Sequence, residues 1–307
     1  MKRVLLTGAT GFIGGHCLPL LSARGYEVHA VSSKDLLENR SDVYWHKVDL
    51  LHSGKSWDLI AKIKPSHLLH FAWYAVPGKY WTSLENIRWV QSSLNLLDAF
   101  IFYGGQRAVM AGTCAEYDWK YGYCSEKLTP LVPSTLYGSC KHSLQLLLDS
   151  VSKQTGLSTA WGRIFFSYGP HEHPDRLVSS VIRSLLLGEH ARCSHGNQIR
   201  DFLYVKDVAD AFVALLESNV QGPVNIGSGK PVVLKDMLRH ISYKLNGERN
   251  INFGVVPVSL DEPPLILSDV NRLNKEVGWV PKYDLDKGLN ETISWWRKFL
   301  EEDANKE

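Results

Sequence analysis

The chain has no apolar run of the roughly 18 residues that a membrane-spanning helix needs. It has few cysteines, and the five present (Cys17, Cys114, Cys124, Cys140 and Cys193) are odd in number and never in CxxC spacing. That removes a disulfide framework and a thiolate zinc site. His67 and His70 share a strand and His171 and His173 flank Glu172, neither pair with a supporting third ligand at zinc-site spacing, so no metal is expected. There is no Lys/Arg run, and a net charge near +2 leaves no field for nucleic acid. The first strand is expected to start at residue 2, so no leader peptide is expected. The expectation is a cytoplasmic protein with reduced thiols, bound to neither membrane nor nucleic acid. What remains is ordinary globular chemistry: 307 residues, 44% hydrophobic and 21% charged, enough for one large domain or two small ones.

The most informative stretch is Thr7-Gly-Ala-Thr-Gly-Phe-Ile-Gly14. A short apolar run, Val4-Leu5-Leu6, reads as a buried strand that stops at Gly8. Glycines follow at Gly11 and Gly14, and an amphipathic run from Phe12 to about Arg24 reads as a helix. Strand, glycine turn and helix N-terminus make a dinucleotide site, because the backbone can approach a pyrophosphate that rests on free N–H groups and the positive end of the helix dipole. Gly8, Thr10, Gly11, Phe12, Ile13 and Gly14 are the expected contacts.

Glu27 to Ser32 reads as the second strand. An acidic residue at its end would accept from the 2′-hydroxyl of NAD. Here stand Ser32, Ser33 and Lys34, two hydroxyls and an ammonium, which suit a 2′-phosphate. The expected cofactor is therefore NADP(H), with NAD(H) second; a solvated turn that ignores the ribose is the alternative. A third strand, Val43 to Val48, leads to Asp49 and Leu50, placed to flank the adenine. Ser66 to Ala72 reads as a fourth strand whose end, Phe71-Ala72, faces the cofactor. A long helix, Ser83 to Phe102, precedes a fifth strand ending at Gly112-Thr113; a helix from Ser134 to Lys153 and a strand from Leu157 to Ile164 follow.

This alternation predicts an α/β fold: a Rossmann-type doubly wound parallel sheet, with ligands beyond the carboxyl ends of its strands. Residues 1–165 are expected to form the dinucleotide-binding domain, with 207–228 returning to it. Residues 166–206 and 229–307 are expected to form a smaller α/β lobe, with Asp207 capping a helix, a last helix over 290–302 and a disordered tail over 301–307.

Tyr137 and Lys141 lie four residues apart on one helix face. An ammonium near a phenol favours the phenolate and makes it a usable acid or base. Thr113, at a strand end, could hold a carbonyl or hydroxyl oxygen. A helix-surface pair is the bland reading of Tyr137 and Lys141 taken alone.

With the glycine turn, these pieces resemble the extended short-chain dehydrogenase/reductases acting on nucleotide sugars. The resemblance runs through Asp49-Leu50, His70-Phe-Ala72, Gly112-Thr-Cys-Ala-Glu-Tyr117, Tyr137-Gly-Ser-Cys-Lys141, Arg163, Tyr168-Gly-Pro170, Arg200-Asp-Phe-Leu-Tyr-Val-Lys-Asp207, Asn225-Ile-Gly-Ser-Gly229 and Gly278-Trp-Val-Pro281. It implies Tyr137 as the catalytic tyrosine, Lys141 as the lysine that also holds the nicotinamide ribose, and Thr113 as the polarising hydroxyl. It implies a substrate side made of Trp73, Tyr74, Trp81, Cys114, Ala115, Phe166, Arg176 and Arg200, with Arg200 gripping the diphosphate of a sugar nucleotide. An ion pair of Arg200 with Asp201 or another neighbour is the alternative. A homodimer through a four-helix bundle built on the Ser83 and Ser134 helices is also implied.

Departures narrow the reaction. The acid pair that 4,6-dehydratases carry after the hydroxyl residue is Cys114-Ala115 here, which argues against dehydration. Phe166 and Trp89 stand where the family often has asparagines. Glu116 is a candidate partner for a nearby arginine. The aromatic loop Trp73-Tyr-Ala-Val-Pro-Gly-Lys-Tyr-Trp81 suits the apolar face and methyl group of a deoxy sugar, or else seals the lobe interface. The leading expectation is NADPH-dependent reduction of the 4-keto group of a nucleotide-diphosphate 4-keto-6-deoxyhexose. An NAD-dependent nucleotide-sugar epimerase is second. A non-catalytic dinucleotide sensor is third, disfavoured because Tyr137 and Lys141 are both retained.

Overall fold

Strands buried on both faces read as near-continuous apolar runs, and that is how the first strands of this chain are made. In the computed structural model, which describes residues 2–34, 41–52, 54–246, 250–258 and 262–305, the chain starts with β1 (Arg3–Thr7), α1 (Gly14–Ala23), β2 (Glu27–Ser32) and β3 (Val43–Lys47). It continues through α2 (Lys55–Ile63), β4 (His67–His70), α3 (Glu85–Phe102), β5 (Arg107–Thr113), β6 (Tyr123–Cys124), α4 (Leu136–Thr155) and β7 (Ser158–Ile164). After β8 (Phe166–Tyr168) come α5 (Leu177–Leu186), β9 (Ala191–Arg192), β10 (Ile199–Tyr204), α6 (Val205–Glu217) and β11 (Gly222–Ile226). The chain closes with β12 (Pro231–Val233), α7 (Leu234–Lys244), β13 (Ile251–Asn252), β14 (Leu265–Ser268) and α8 (Leu285–Ala304).

Seven strands form one sheet in the order β11-β7-β5-β4-β1-β2-β3, all pairs parallel. This is the doubly wound Rossmann-type sheet. On one face Cys17, Leu18 and Leu21 of α1 pack with Val208, Phe212 and Leu216 of α6. On the other, Leu59 and Ile60 of α2, Leu96 and Phe100 of α3, and Leu144 and Leu148 of α4 form a second core. A five-stranded sheet (β12-β10-β14-β6, with β8 beside β10) lies in the second half. There α5, α7 and α8 bury Val181, Ile182, Met237, Ile241, Leu289 and Trp296 together. A small cluster of Cys114, Tyr117, Cys124, Phe165 and Ile266 joins this part to the end of β5.

Several boundaries differ from the sequence reading. Helix α1 starts at Gly14, two residues after Phe12, because residues 8–13 are spent on the turn. Helix α8 starts at Leu285, where the Asp284 carboxylate accepts from the Lys287 N–H at 2.8 Å, and it runs to Ala304. The expected loose tail is therefore helical as far as 304, while 306–307 lie outside the described residues. Asp207 does not cap a helix. It sits inside the first turn of α6, and its carboxylate accepts from the N–H groups of Lys282 and Tyr283 at 2.9–3.1 Å, tying the segment before α8 to α6. Helices α5 and α7 have no counterpart in the sequence reading; each is short and buries one apolar face in the lobe core.

Candidate active site

The glycine turn is built as a cradle. Gly8 has φ +67°, and a Cβ on it would lie 2.8 Å from the Ala72 nitrogen at the end of β4. A Cβ on Gly14 would lie 2.2 Å from the Gly8 carbonyl. The turn closes through Gly11 N–H donating to Gly8 O at 2.9 Å. Ile13, at the N-cap of α1, provides no side-chain cap, so the helix end presents N–H groups to an anion. Thr10 and Gly11 are exposed and Phe12 is half-buried, so backbone and side chains of this turn can meet a pyrophosphate. These features fit a dinucleotide.

At the second strand end, Ser32 is buried and its hydroxyl accepts from Lys34 N–H at 3.0 Å and donates to Lys34 O at 3.1 Å. That local turn consumes the Ser32 side chain and leaves Ser33 and Lys34 exposed. Asp49 accepts from Leu51 N–H at 3.0 Å and pairs with His52 at 3.1 Å; Leu50 is buried in the core. Phe71 and Ala72 meet the glycine turn by their backbone, since the Phe71 ring packs edge-on to Phe212 at 4.7 Å. His70 is a structural histidine. It contacts Thr7 Oγ1 at 2.7 Å and Ser93 Oγ at 2.9 Å, and burial first, then the charge of Lys141, pushes its pKa down to about 3. Among the described residues no three His, Cys, Asp or Glu side chains are grouped as a metal site.

Beyond β5 and β4 lie the side chains that the sequence singled out, Thr113, Tyr137 and Lys141. Thr113 ends β5 as the cap of a single 3₁₀ turn, Cys114–Glu116, and its hydroxyl accepts from Ala115 N–H at 3.2 Å. Its own N–H donates to Glu116 at 2.8 Å. Glu116, fully buried, also accepts from Trp161 Nε1 at 2.9 Å and Arg163 Nε at 2.8 Å; Arg163 in turn donates to the Tyr117 hydroxyl at 3.0 Å. Glu116 is thus the partner of an arginine, as its sequence position suggested. Gly112 must be glycine here, because a Cβ would lie 2.0 Å from Trp161 Nε1 and 2.7 Å from Glu116 Oε1.

Tyr137 begins α4, whose N-cap Thr135 accepts from Gly138 N–H at 3.1 Å. Its N–H donates to Trp81 O at 3.1 Å, and its ring meets Tyr80 at 4.9 Å and Trp81 at 5.8 Å, both edge-on. Burial raises the phenol pKa, Tyr80 adds to this, and the Thr113 hydroxyl acts against it. The expected pull of Lys141 on the phenol does not lead here. The Lys141 ammonium donates to Ala111 O at 2.8 Å and lies 3.7 Å over the Trp73 ring. Burial lowers its pKa to about 7, with Glu116 acting in the opposite direction. Tyr137 is therefore held in its protonated form.

Trp73 faces Lys141, whereas Trp81 stands between Tyr137 and Trp119, 6.2 Å from the latter. Trp119 donates to Cys114 O at 2.7 Å. Tyr74 is half-buried in the same loop, and Cys114 and Ala115 are buried, with the Cys114 thiol pushed up by burial. Arg176 lies 5.2 Å over the Tyr80 ring. Phe166 stands 5.5 Å from the Arg200 guanidinium. Arg200 is 3% exposed and bound to the Glu262 carboxylate. Asp201 is occupied elsewhere, accepting from Ser228 and Gly229 N–H at 2.7 and 3.0 Å and from Ser268. Tyr80, Asn86, Trp119 and Glu262 were not singled out from sequence. Tyr80 lies in the aromatic loop already noted; the other three carried no pattern that could have found them.

Over 317 aligned residues the chain is 29% identical to UDP-glucuronic acid decarboxylase 1 of Xenopus tropicalis, covering 99% of this chain and 74% of that one. It is 27% identical to CDP-abequose synthase of Salmonella typhimurium, with 95% and 97% covered. The structure of a UDP-glucose 4-epimerase from Thermus thermophilus in complex with NAD superposes with a TM-score of 0.82 at 25% identity, covering 96% of this chain and 99% of that one. The profile of the NAD dependent epimerase/dehydratase family matches residues 4–227. With the glycine cradle at one end of the strand tips and Thr113, Tyr137 and Lys141 at the other, the chain belongs to that family, the extended short-chain dehydrogenase/reductases of nucleotide sugars.

Proposed function

We propose that this enzyme carries out oxidation–reduction at C4 of a nucleotide-diphosphate hexose. The observation that carries the proposal is the convergence of Thr113, Tyr137 and Lys141 at the strand ends, on the same sheet edge as the glycine cradle. A nicotinamide cofactor, held by Gly8 to Gly14, Asp49 and the Phe71-Ala72 backbone, supplies the hydride acceptor or donor. Thr113 hydrogen-bonds the C4 oxygen and fixes its distance from the phenol. Tyr137, kept protonated by its surroundings, gives its proton to that oxygen as charge develops, and recovers it in the reverse direction. Arg200 binds the diphosphate once Glu262 yields it.

Two readings differ in the fate of the hydride. A 4-epimerase returns it to the other face of the sugar, and the relatives back this reading better: one similar structure is a UDP-glucose 4-epimerase holding NAD. A 4-ketoreductase of 6-deoxy sugars is supported by the raised phenol pKa, which suits a proton donor, and by the wall of Tyr80, Trp81 and Trp119, which suits a methyl group. Exposed Ser33 and Lys34 favour NADP(H) for the reductase. The deciding experiment identifies the nucleotide released on denaturation, then incubates the protein with UDP-glucose, UDP-glucuronate and 4-keto-6-deoxy sugar nucleotides. Redox-neutral interconversion marks the epimerase, and stoichiometric loss of NADPH or NADH absorbance marks the reductase. Failure to turn over any of these sugars, with cofactor bound, would sink the proposal.

A further inference from the structure

An ammonium has three N–H donors. In Lys141 one reaches Ala111 O, and the Trp73 indole face lies under the group at 3.7 Å. Trp73 is not a loose aromatic. Its Nε1–H donates to Asn86 Oδ1 at 2.8 Å, and fully buried Asn86 spends its amide on Tyr80 O and Ser83 O at 2.7 and 2.8 Å. The ring is backed by Trp89 at 6.5 Å. Asn86 thus ties Trp73 to the backbone on both sides of Trp81, the residue that receives the Tyr137 N–H. We propose that Trp73 is a positioning residue for Lys141, an indole floor pinned by Asn86 that keeps the ammonium charged and in place in a dry site. This rests on the reading of Tyr137 and Lys141 as the reacting pair.

The physical case is that Lys141 is 4% exposed, and that beside the Ala111 carbonyl and the charge of Glu116 its ammonium rests on the Trp73 face. The groups facing it are Glu116 from the turn after β5, His70 from β4 and the Trp161 ring at 5.9 Å from β7, while Tyr137 lies four residues back on α4. His70 is neutral by burial, and Glu116 is committed to Arg163, Trp161 and Thr113. A desolvated cation over an aromatic face gains more than an exposed one. Because burial already lowers the Lys141 pKa to about 7, the charged form is lost as pH rises through that value. Removing the indole should move the loss to lower pH.

The test compares Trp73→Leu, Trp73→Phe and Lys141→Met in the holoenzyme and in cofactor-free protein. For Trp73→Leu the alkaline limb of kcat should fall by about one pH unit, a tenfold shift in protonation. In cofactor-free protein the Lys141 Nζ resonance, assigned by its absence in Lys141→Met, should titrate lower by the same amount. Trp73→Phe keeps a ring face and should recover most of the shift; Trp73→Met replaces the leucine variant if that one does not fold. If Lys141→Met abolishes turnover while the Trp73 variants leave both the limb and the resonance unmoved, this inference is wrong and the Tyr137–Lys141 reading stands. If Lys141→Met turns over normally, that reading falls first.

Discussion

Beneath Thr113 the structure places a carboxylate and a guanidinium with no exposure at all, Glu116 and Arg163. Taking such a pair out of water costs several kcal/mol per ion, offset by their attraction and by the hydrogen bonds from Thr113 and Trp161. The intact pair therefore contributes little net stability, but half of it is costly. Glu116→Ala strands the Arg163 charge and frees the Thr113 and Trp161 N–H groups. The expected loss is about 3–5 kcal/mol. At roughly 2 °C per kcal/mol for a chain of this size, Tm should fall by roughly 6–10 °C. Glu116→Leu combined with Arg163→Met leaves no buried charge and should cost far less than the two single changes added together. Urea unfolding of the unaltered protein, Glu116→Leu, Arg163→Met and their double in a double-mutant cycle, with Glu116→Ala beside them, measures this coupling. A Glu116→Ala loss below about 1 kcal/mol, or strict additivity in the cycle, would refute the claim that this pair supports the site.

Other consequences are simpler to check. Gly14→Ala puts a Cβ 2.2 Å from the Gly8 carbonyl, and titration with NADH and NADPH should show binding weakened by about tenfold or more. Ser32→Asp loses the donation to Lys34 O, puts a carboxylate where the ribose is expected, and should favour NAD over NADP; an unchanged ratio of the two dissociation constants would show that residues 32–34 do not read the ribose. Tyr137→Phe should keep cofactor affinity while turnover falls about 10²–10⁴-fold, the usual range for losing a general acid. The exposed Leu84, Ile87 and Phe102 of the α3 region and Leu146 and Leu147 of α4 form apolar faces suited to pairing with a second copy; sedimentation of a Leu146→Glu, Leu147→Glu double variant should then show monomer where the unaltered protein shows dimer.

The sequence by itself carried the sheet and the places of the candidate site residues along it. Glycine spacing, strand–helix alternation and the Tyr137–Lys141 interval are local, and backbone geometry turns them into structure with little help from elsewhere. The same local reading placed Thr113 at a strand end and paired Glu116 with an arginine. Tertiary packing decided what each group does electrically. Whether Lys141 faces the phenol or an indole, and whether Tyr137 sits above or below its solution pKa, depends on how many atoms exclude water around it, and those come from β4, β5, α3 and the loop after β4. The carboxylate that holds Arg200 lies 62 residues away, and the backbone that Asp207 ties down lies 75 and 76 away; no interval in the chain announces such pairs. Charge and desolvation act through space, so a one-dimensional pattern can name candidate groups and only their surroundings can set their protonation.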